Sequence, residues 1–316
     1  MRKVETWAHH TRASLALGLP LVGANLAQMG INFTDTVMLG RLGAETLAAS
    51  VLATGFFFIV LITGMGLAQA VLPMAAQAIG ANDDINVRRS VRMGIWVALG
   101  FGVLSAPLLW SAEAVFLALG QNPELSALAG IYVRTVMLGA FPALMLAAVR
   151  AYISAAERTQ IVLWITLAGV LLNALFDYAL IFGNFGLPRL EIAGAAIASV
   201  ASNLFMCAAI VVYAIRLPAL KKYQIFVRFW RADWSALWDV IRLGVPISLT
   251  ILAEVAMFTV AAVFMGWVGT IPLAAHGIAL QITGIAFMIP LSLAQVGTVR
   301  VGLYYGRADR ENLKDR

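Results

Sequence analysis

The chain has 316 residues, 61% of them hydrophobic and only 12% charged, with a formal net charge of +6 and a mean hydropathy of +0.88. Soluble domains run near 45–50% apolar and about 25% charged, so this composition excludes an ordinary soluble domain; the apolar runs are continuous rather than alternating, which excludes a β-barrel and leaves a helical integral membrane protein. The pI near 9.8 would suit a nucleic-acid ligand, but the bases lie in short connections between apolar runs, where they act as topology signals.

In chain order, eight apolar runs are each close to the roughly 20 residues that cross a bilayer as a helix: 14–39, 47–72, 91–111, 128–150, 161–182, 193–215, 243–266 and 273–299. The N-terminus, with Arg2, Lys3 and Arg12 before the first run, resembles a signal peptide, but that run exceeds an h-region and no cleavage site follows, so it reads as a retained span. The connections alternate in charge. Arg88, Arg89 and Arg92 follow the second span, Arg150 and Arg158 the fourth, a basic stretch from Arg216 to Arg231 the sixth, and Arg300, Arg307, Arg310, Lys314 and Arg316 the eighth. The intervening connections carry few bases, so both termini are expected in the cytoplasm.

The first span carries an acid, Asp35, within Ile31-Asn32-Phe33-Thr34-Asp35-Thr36. A charge at bilayer depth costs roughly 2.5–3.5 kcal/mol on insertion scales, so such a residue usually faces a cavity and has a function. The fifth span carries Asn173 and Asp177, four residues apart and therefore on one helix face. The first and fifth spans both run outward under the expected topology, which brings Asp35 and Asp177 to similar depth, each about a turn before the outer end. Two carboxylates and a carboxamide at one level form a candidate cation or proton site. Within the seventh span Glu254 lies near mid-membrane with no base nearby in sequence, a candidate facing the space between two halves of the protein. The prolines Pro20, Pro142, Pro246 and Pro290 lie inside spans, where each removes a backbone hydrogen bond and can kink its helix.

The sequence repeats itself. Leu17-Gly18-Leu19-Pro20 recurs as Leu243-Gly244-Val245-Pro246, and the same offset of 226 maps Gly40 onto Gly266, Gly43 onto Gly269, Leu67-Ala68-Gln69 onto Leu293-Ala294-Gln295, Gly80 onto Gly306 and Asp83 onto Asp309. Spans seven and eight therefore repeat spans one and two, in the parallel sense of a repeat related by an axis along the membrane normal. A complete duplication needs about 450 residues and twelve spans. The expected fold is thus an all-α polytopic membrane protein: a six-helix N-terminal lobe over 1–215, a cytoplasmic linker over 216–242, and the first two helices of a homologous C-terminal lobe over 243–316, either a fragment or in need of a partner that completes the second lobe. Within the linker, residues 232–241 alternate polar and apolar at helical spacing and read as an amphipathic helix on the cytoplasmic surface.

Other chemistry finds little support. The lone Cys207 lies in an apolar run and offers neither a disulfide nor thiol chemistry. His9, His10 and His276 lack metal-ligand spacing. Gly64-Met65-Gly66 lacks the context of a dinucleotide loop. A membrane-embedded enzyme is disfavoured by the lack of any recognisable nucleophile, metal set or cofactor motif, and no nucleic-acid partner is expected.

With these residues in place the chain resembles the multidrug and toxic compound extrusion (MATE) family, in its bacterial NorM-like branch. The resemblance is carried by Asp35-Thr36-Val37-Met38-Leu39-Gly40, by Leu172-Asn173 with Asp177-Tyr178, by Gly244-Val245-Pro246 with Glu254, by Ala274-Ala275-His276, and by Phe287-Met288-Ile289-Pro290-Leu291. It implies a twelve-helix antiporter of two lobes, here ending after the eighth helix, in a bacterial inner membrane among its lipids. The implied activity is export of cationic or amphipathic drugs against sodium or protons, with no cofactor beyond the coupling ion. The resemblance further implies that Asp35, Asn173 and Asp177 hold the coupling cation or proton, or a sodium ion, and that Glu254 serves a cation or substrate site; Gln28, Asn32 and Gln281 are the accompanying substrate-contact candidates. Two alternatives stay open: a lipid-linked precursor flippase, which would be expected to present several basic residues to its cavity, and a non-transporting fragment.

Overall fold

A computed structural model of the protein describes residues 7–308. All the elements among them are helical: α1 (Trp7–Gly40), α2 (Ala44–Gln69), α3 (Val71–Gly80), α4 (Asp84–Trp110), α5 (Ala112–Ala118), α6 (Pro123–Val136), a 3₁₀ turn (Met137–Gly139), α7 (Ala140–Ala155), α8 (Thr159–Phe182), α9 (Glu191–Arg216), α10 (Pro218–Lys221), α11 (Trp234–Val268) and α12 (Thr270–Gly306). Eight stretches among the described residues are long and apolar enough to cross a membrane, and they coincide with the eight expected spans.

Local chemistry sets the boundaries. Asp83 caps α4 by accepting from the Asn86 amide at 3.0 Å, Asn122 caps α6 by accepting from the Glu124 amide at 2.8 Å with Pro123 at the first helical position, and Asp233 caps α11 by accepting from the Ala236 amide at 3.2 Å. Such caps satisfy amide donors that a helix N-terminus leaves without an intrahelical acceptor. The expected fourth span is two helices, α6 and α7, joined by the 3₁₀ turn, and Pro142 falls in the first turn of α7, where a missing N–H removes no helical bond. Pro20, Pro246 and Pro290 do lie within helices.

The linker departs from expectation. Residues 234–242 form no separate surface helix; they are the opening turns of α11 and continue into the seventh span without interruption. The Asp233 cap starts the helix, and two of its apolar side chains, Ala236 and Val240, pack with Ala70 and Met93 in a small core of their own. Ahead of it, the first turns of α4 pin the connecting segment. Arg88 donates to the Tyr223 carbonyl at 2.9 Å, Arg92 to that of Arg228 at 3.2 Å and Trp96 to that of Phe229 at 3.0 Å, while Arg89 grips Asp233 through both carboxylate oxygens.

The internal repeat is visible as reciprocal packing. A Cβ on Gly80 would collide with the Leu303 carbonyl, and one on Gly306 with the Gln77 carbonyl; Gln77 and Leu303 are related by the same 226-residue offset as Gly80 and Gly306. Likewise a Cβ on Gly18 would stand 3.2 Å from the Leu293 side chain, and one on its mate Gly244 would stand 3.0 Å from the backbone of Leu67, the mate of Leu293. Residue i meets j while the mate of j meets the mate of i, as a two-fold relation requires. Small residues let helices approach this closely where apolar lipid supplies no hydrophobic drive between them. The calculated match of Asp83 with Asp309 lies outside the described residues.

Two cores fill the first six spans. One, with Ala24, Val71, Val91, Tyr152, Met206 and Ile210, lies among α1, α3, α4, α7, α8 and α9. The other, with Leu39, Ala53, Leu109, Phe116, Val133 and Ile181, closes the opposite end.

Candidate functional site

The site is built by α1 against α8. Gly23 lies against Leu163 and Gly30 against Val170, so the helices run parallel at one register, and the close approach recurs after seven residues, two helical turns. Carried on five residues, that register sets Asp35 opposite Leu175, midway between Asn173 and Asp177. Each carboxylate stands five residues before its helix end, at Gly40 and Phe182, as the shared depth expected from the charge pattern requires.

Asp35 is buried, and Asn173 and Asp177 are wholly sealed from solvent. Asp177 and Asn173 both interact with the Asp35 side chain, and Ser199 on α9 donates to Asp35 Oδ2 at 3.2 Å. Even so, Asp35 Oδ1, both Asp177 oxygens and both amide atoms of Asn173 have no hydrogen-bond partner among the described residues. Buried polar atoms are nearly always paired, and leaving one unpaired costs about 1–3 kcal/mol. Orphaned oxygens from two carboxylates and one amide converge here, a donor set suited to a hard cation or to a proton shared between the acids. Among the described residues no group of three or more His, Cys, Asp or Glu side chains is placed to hold a metal ion. A cavity of about 170 Å³ opens on Asp35, lined also by Asn32, Thr36, Ser50, Thr54 and Tyr132.

A second cavity, of about 310 Å³, contains Gln28 and Asn32 together with Phe58, Gln69, Arg150 and Gln295. Asn32 borders both cavities and so connects the acid site to the larger space. Glu254 is half-exposed on α11 and Gln281 exposed on α12; neither lines these two cavities. The structure thus gathers Asp35, Asn173 and Asp177 into one cluster, with Gln28 and Asn32 beside it, and leaves Glu254 and Gln281 apart.

Sequence reading passed over Ser199 and Tyr132. Ser199 lies on the buried face of small residues that includes Ala195, Ala198 and Ser202, and this polar residue amid alanine was the available signal. Tyr132 offers none: it lies in α6, whose approach to Asp35 is a tertiary fact.

Residues 20–179 and 246–316 match the family model described as MatE. The chain belongs to the MatE family. Among relatives of this MatE chain, the probable multidrug resistance protein NorM of Rhizobium meliloti (strain 1021) is 54% identical over 309 residues, covering 98% of this chain and 66% of the relative. That of Agrobacterium fabrum (strain C58) is 51% identical over 308 residues, with the same coverages. The chain therefore spans just under two thirds of the length of these curated relatives. The fold is shared with a multidrug resistance MATE family transporter solved in an outward-facing conformation (TM-score 0.84, 24% identity, 96% of this chain and 66% of that one). It is shared too with a MOP superfamily transporter from Pyrococcus furiosus (TM-score 0.83, 23% identity, 96% and 66%).

Proposed function

We propose that this MatE chain carries the ion-coupling machinery of an efflux antiporter that exports organic cations and amphipathic drugs by alternating access, in exchange for sodium or protons. The observation that carries this reading is the set of orphaned buried oxygens on Asp35, Asn173 and Asp177. Two carboxylates in a space closed to water repel each other, and one entering cation or proton relieves them. Such a ligand can shift the transporter between its states only through a difference in affinity for them, and inward movement of one charge yields about 2.3 kcal/mol per 100 mV of membrane potential. The cavity beside this site supplies Gln28 and Asn32 as substrate contacts, and Glu254 and Gln281 extend the substrate path from the repeated helices. The printed names of the relatives, multidrug resistance proteins, support efflux over enzymatic chemistry. The alternation of basic connections supports a bacterial inner membrane with both termini in the cytoplasm. A flippase reading calls for several bases in the cavity, and the larger one is lined by a single base, Arg150.

The test is ethidium efflux from cells expressing the chain extended by the remaining third of the Rhizobium meliloti relative. Asp35→Asn is expected to insert normally, to similar abundance, and to lower efflux to the background rate. Export at the unaltered rate overturns the coupling role.

A further inference from the structure

Thr159, the first residue of α8, is 2% exposed, and its hydroxyl is sealed from solvent with no hydrogen-bond partner among the described residues. Further along a helix a threonine hydroxyl can turn back to the carbonyl four residues earlier, as Thr166 does to Val162 at 2.8 Å. At the first position no helical carbonyl precedes it. A buried hydroxyl is nearly always paired, so this one calls for a partner from outside the helix.

The place for that partner is a cavity of about 290 Å³ that Thr159 lines, bounded by α1, α8 and α9 at the end of the spans where the bases gather. Leu17 of α1 and Ile161 of α8 give it an apolar wall, while Arg158, Gln160 and Tyr213 add polar donors. The first-turn amides of α8 have no intrahelical acceptor, and Arg158 at the N-cap supplies no side-chain cap. A helix N-terminus carries about half a positive charge, and its amides suit an anion. Glu157 is the one acid of the lining. Against it stand Arg158, Arg12 one turn before Ala16 on the same face of α1, and Arg216 one turn after Tyr213 on α9. Among the described residues none of these three exposed arginines forms an ion pair. A donor-rich cavity with an apolar wall and a basic rim, between transmembrane helices, has the chemistry of an acidic lipid headgroup site.

We propose that this cavity binds the phosphate group of an anionic phospholipid, with the Thr159 hydroxyl and the first-turn amides of α8 as donors and Arg158 as charge partner. The acyl chains lie along Leu17 and Ile161. A lipid held here ties α1 to α8, the two helices that carry Asp35 and Asp177, at the far end from those acids. The test reads lipid binding alone and is independent of transport.

The probes are dioleoyl-phosphatidylglycerol and dioleoyl-phosphatidylcholine, titrated separately against the full chain in detergent micelles, with the first bound lipid read by native mass spectrometry. Phosphatidylglycerol is expected to bind at least about tenfold more tightly, the scale of a hydrogen bond to a charged group. Thr159→Val, which keeps the shape and removes the hydroxyl, is expected to lose most of that preference, and Thr159→Ser to keep it. Arg158→Gln, at an exposed position, is expected to lose it too and carries the test should Thr159→Val not fold. Arg231→Gln, a base of the linker outside this cavity, is expected to leave it intact. Equal affinity for the two lipids overturns the proposal, as does a preference that survives both Thr159→Val and Arg158→Gln. Equal loss in Arg231→Gln also overturns it, by assigning the preference to diffuse attraction between the bases and the headgroups. In phosphatidylcholine nanodiscs, a thermal unfolding midpoint that rises with inorganic phosphate but not with added phosphatidylglycerol overturns the lipid as the source of the phosphate.

Discussion

Asp35, Asn173 and Asp177 illustrate how little a buried polar residue says alone and how much it says beside its neighbours. Each is an unfavourable guest in an apolar helix; together, with the Ser199 hydroxyl donating to the group, they leave a set of oxygens without donors among the described residues. Glu254 is a different case. It is half-exposed, on a helix whose apolar stretch is almost entirely unburied, so any role it has rests on charge rather than on packing. In cells expressing the extended chain, Glu254→Gln is therefore expected to slow export of a cationic dye severalfold while sparing a neutral amphipathic one at matched expression. Equal loss for both dyes would indicate a structural role, and no loss for either would remove Glu254 from the mechanism.

Helices and their connections hold this site by devices outside it. The segment between α9 and α11 is fastened to α4 by arginine and tryptophan donors to its carbonyls and by the Arg89–Asp233 pair. Chiefly through its hydrogen bonds to Arg89, Asp233 is held below the ordinary carboxylate range. A carboxyl depressed on folding stabilises the folded state above its unfolded value, near 3.9, and loses that contribution as pH falls through the folded value. Amide protection over residues 217–233, followed by hydrogen exchange, should be level from pH 7 to about 5 and fall below about pH 4. Asp233→Asn should show the lowered protection already at pH 7, by no more than about 1 kcal/mol for a pair this exposed. A protection profile unaffected by the substitution would mean that the carbonyl contacts alone hold the segment.

At the scale of the whole molecule, spans one and two meet spans seven and eight, their repeat-mates, about an approximate two-fold. Interlobe contacts include a Ser248 hydroxyl bond to the Thr63 carbonyl at 2.9 Å and the Asn25 amide donating to Ser292 at 3.0 Å. Interhelical bonds of this kind contribute on average about 0.6 kcal/mol in membranes, weak enough for the contact to open and re-form at little cost. The orientation of this assembly rests on charge, and cysteine labelling tests it. In a Cys207→Ala background, a cysteine at Asn122 or Gly183 should react with an impermeant reagent applied outside the cell, and one at Lys222 should not. External labelling at Lys222 would invert the topology.

Membrane class, span number, the 226-residue repeat and the pairing of Asp35 with Asp177 were legible in the chain itself. Each follows from composition, run length or helical periodicity, which a bilayer enforces by requiring every backbone polar group to be satisfied within the span. The shared depth of the two acids came from counting turns along two helices that the charge pattern orients alike. Other features needed the third dimension. That residues 234–242 continue into α11 was decided by the Asp233 cap and the small core under Ala236 and Val240, since amphipathic spacing reads alike in a surface helix and in the first turns of a span. Ser199 and Tyr132 join the site because α9 and α6 pack around α1 and α8, and no spacing within one helix reports which others it will touch. The placement of Arg150 was hidden for the same reason. In sequence it is one more base at the end of a span, a topology signal; only the packed helices turn it toward a cavity.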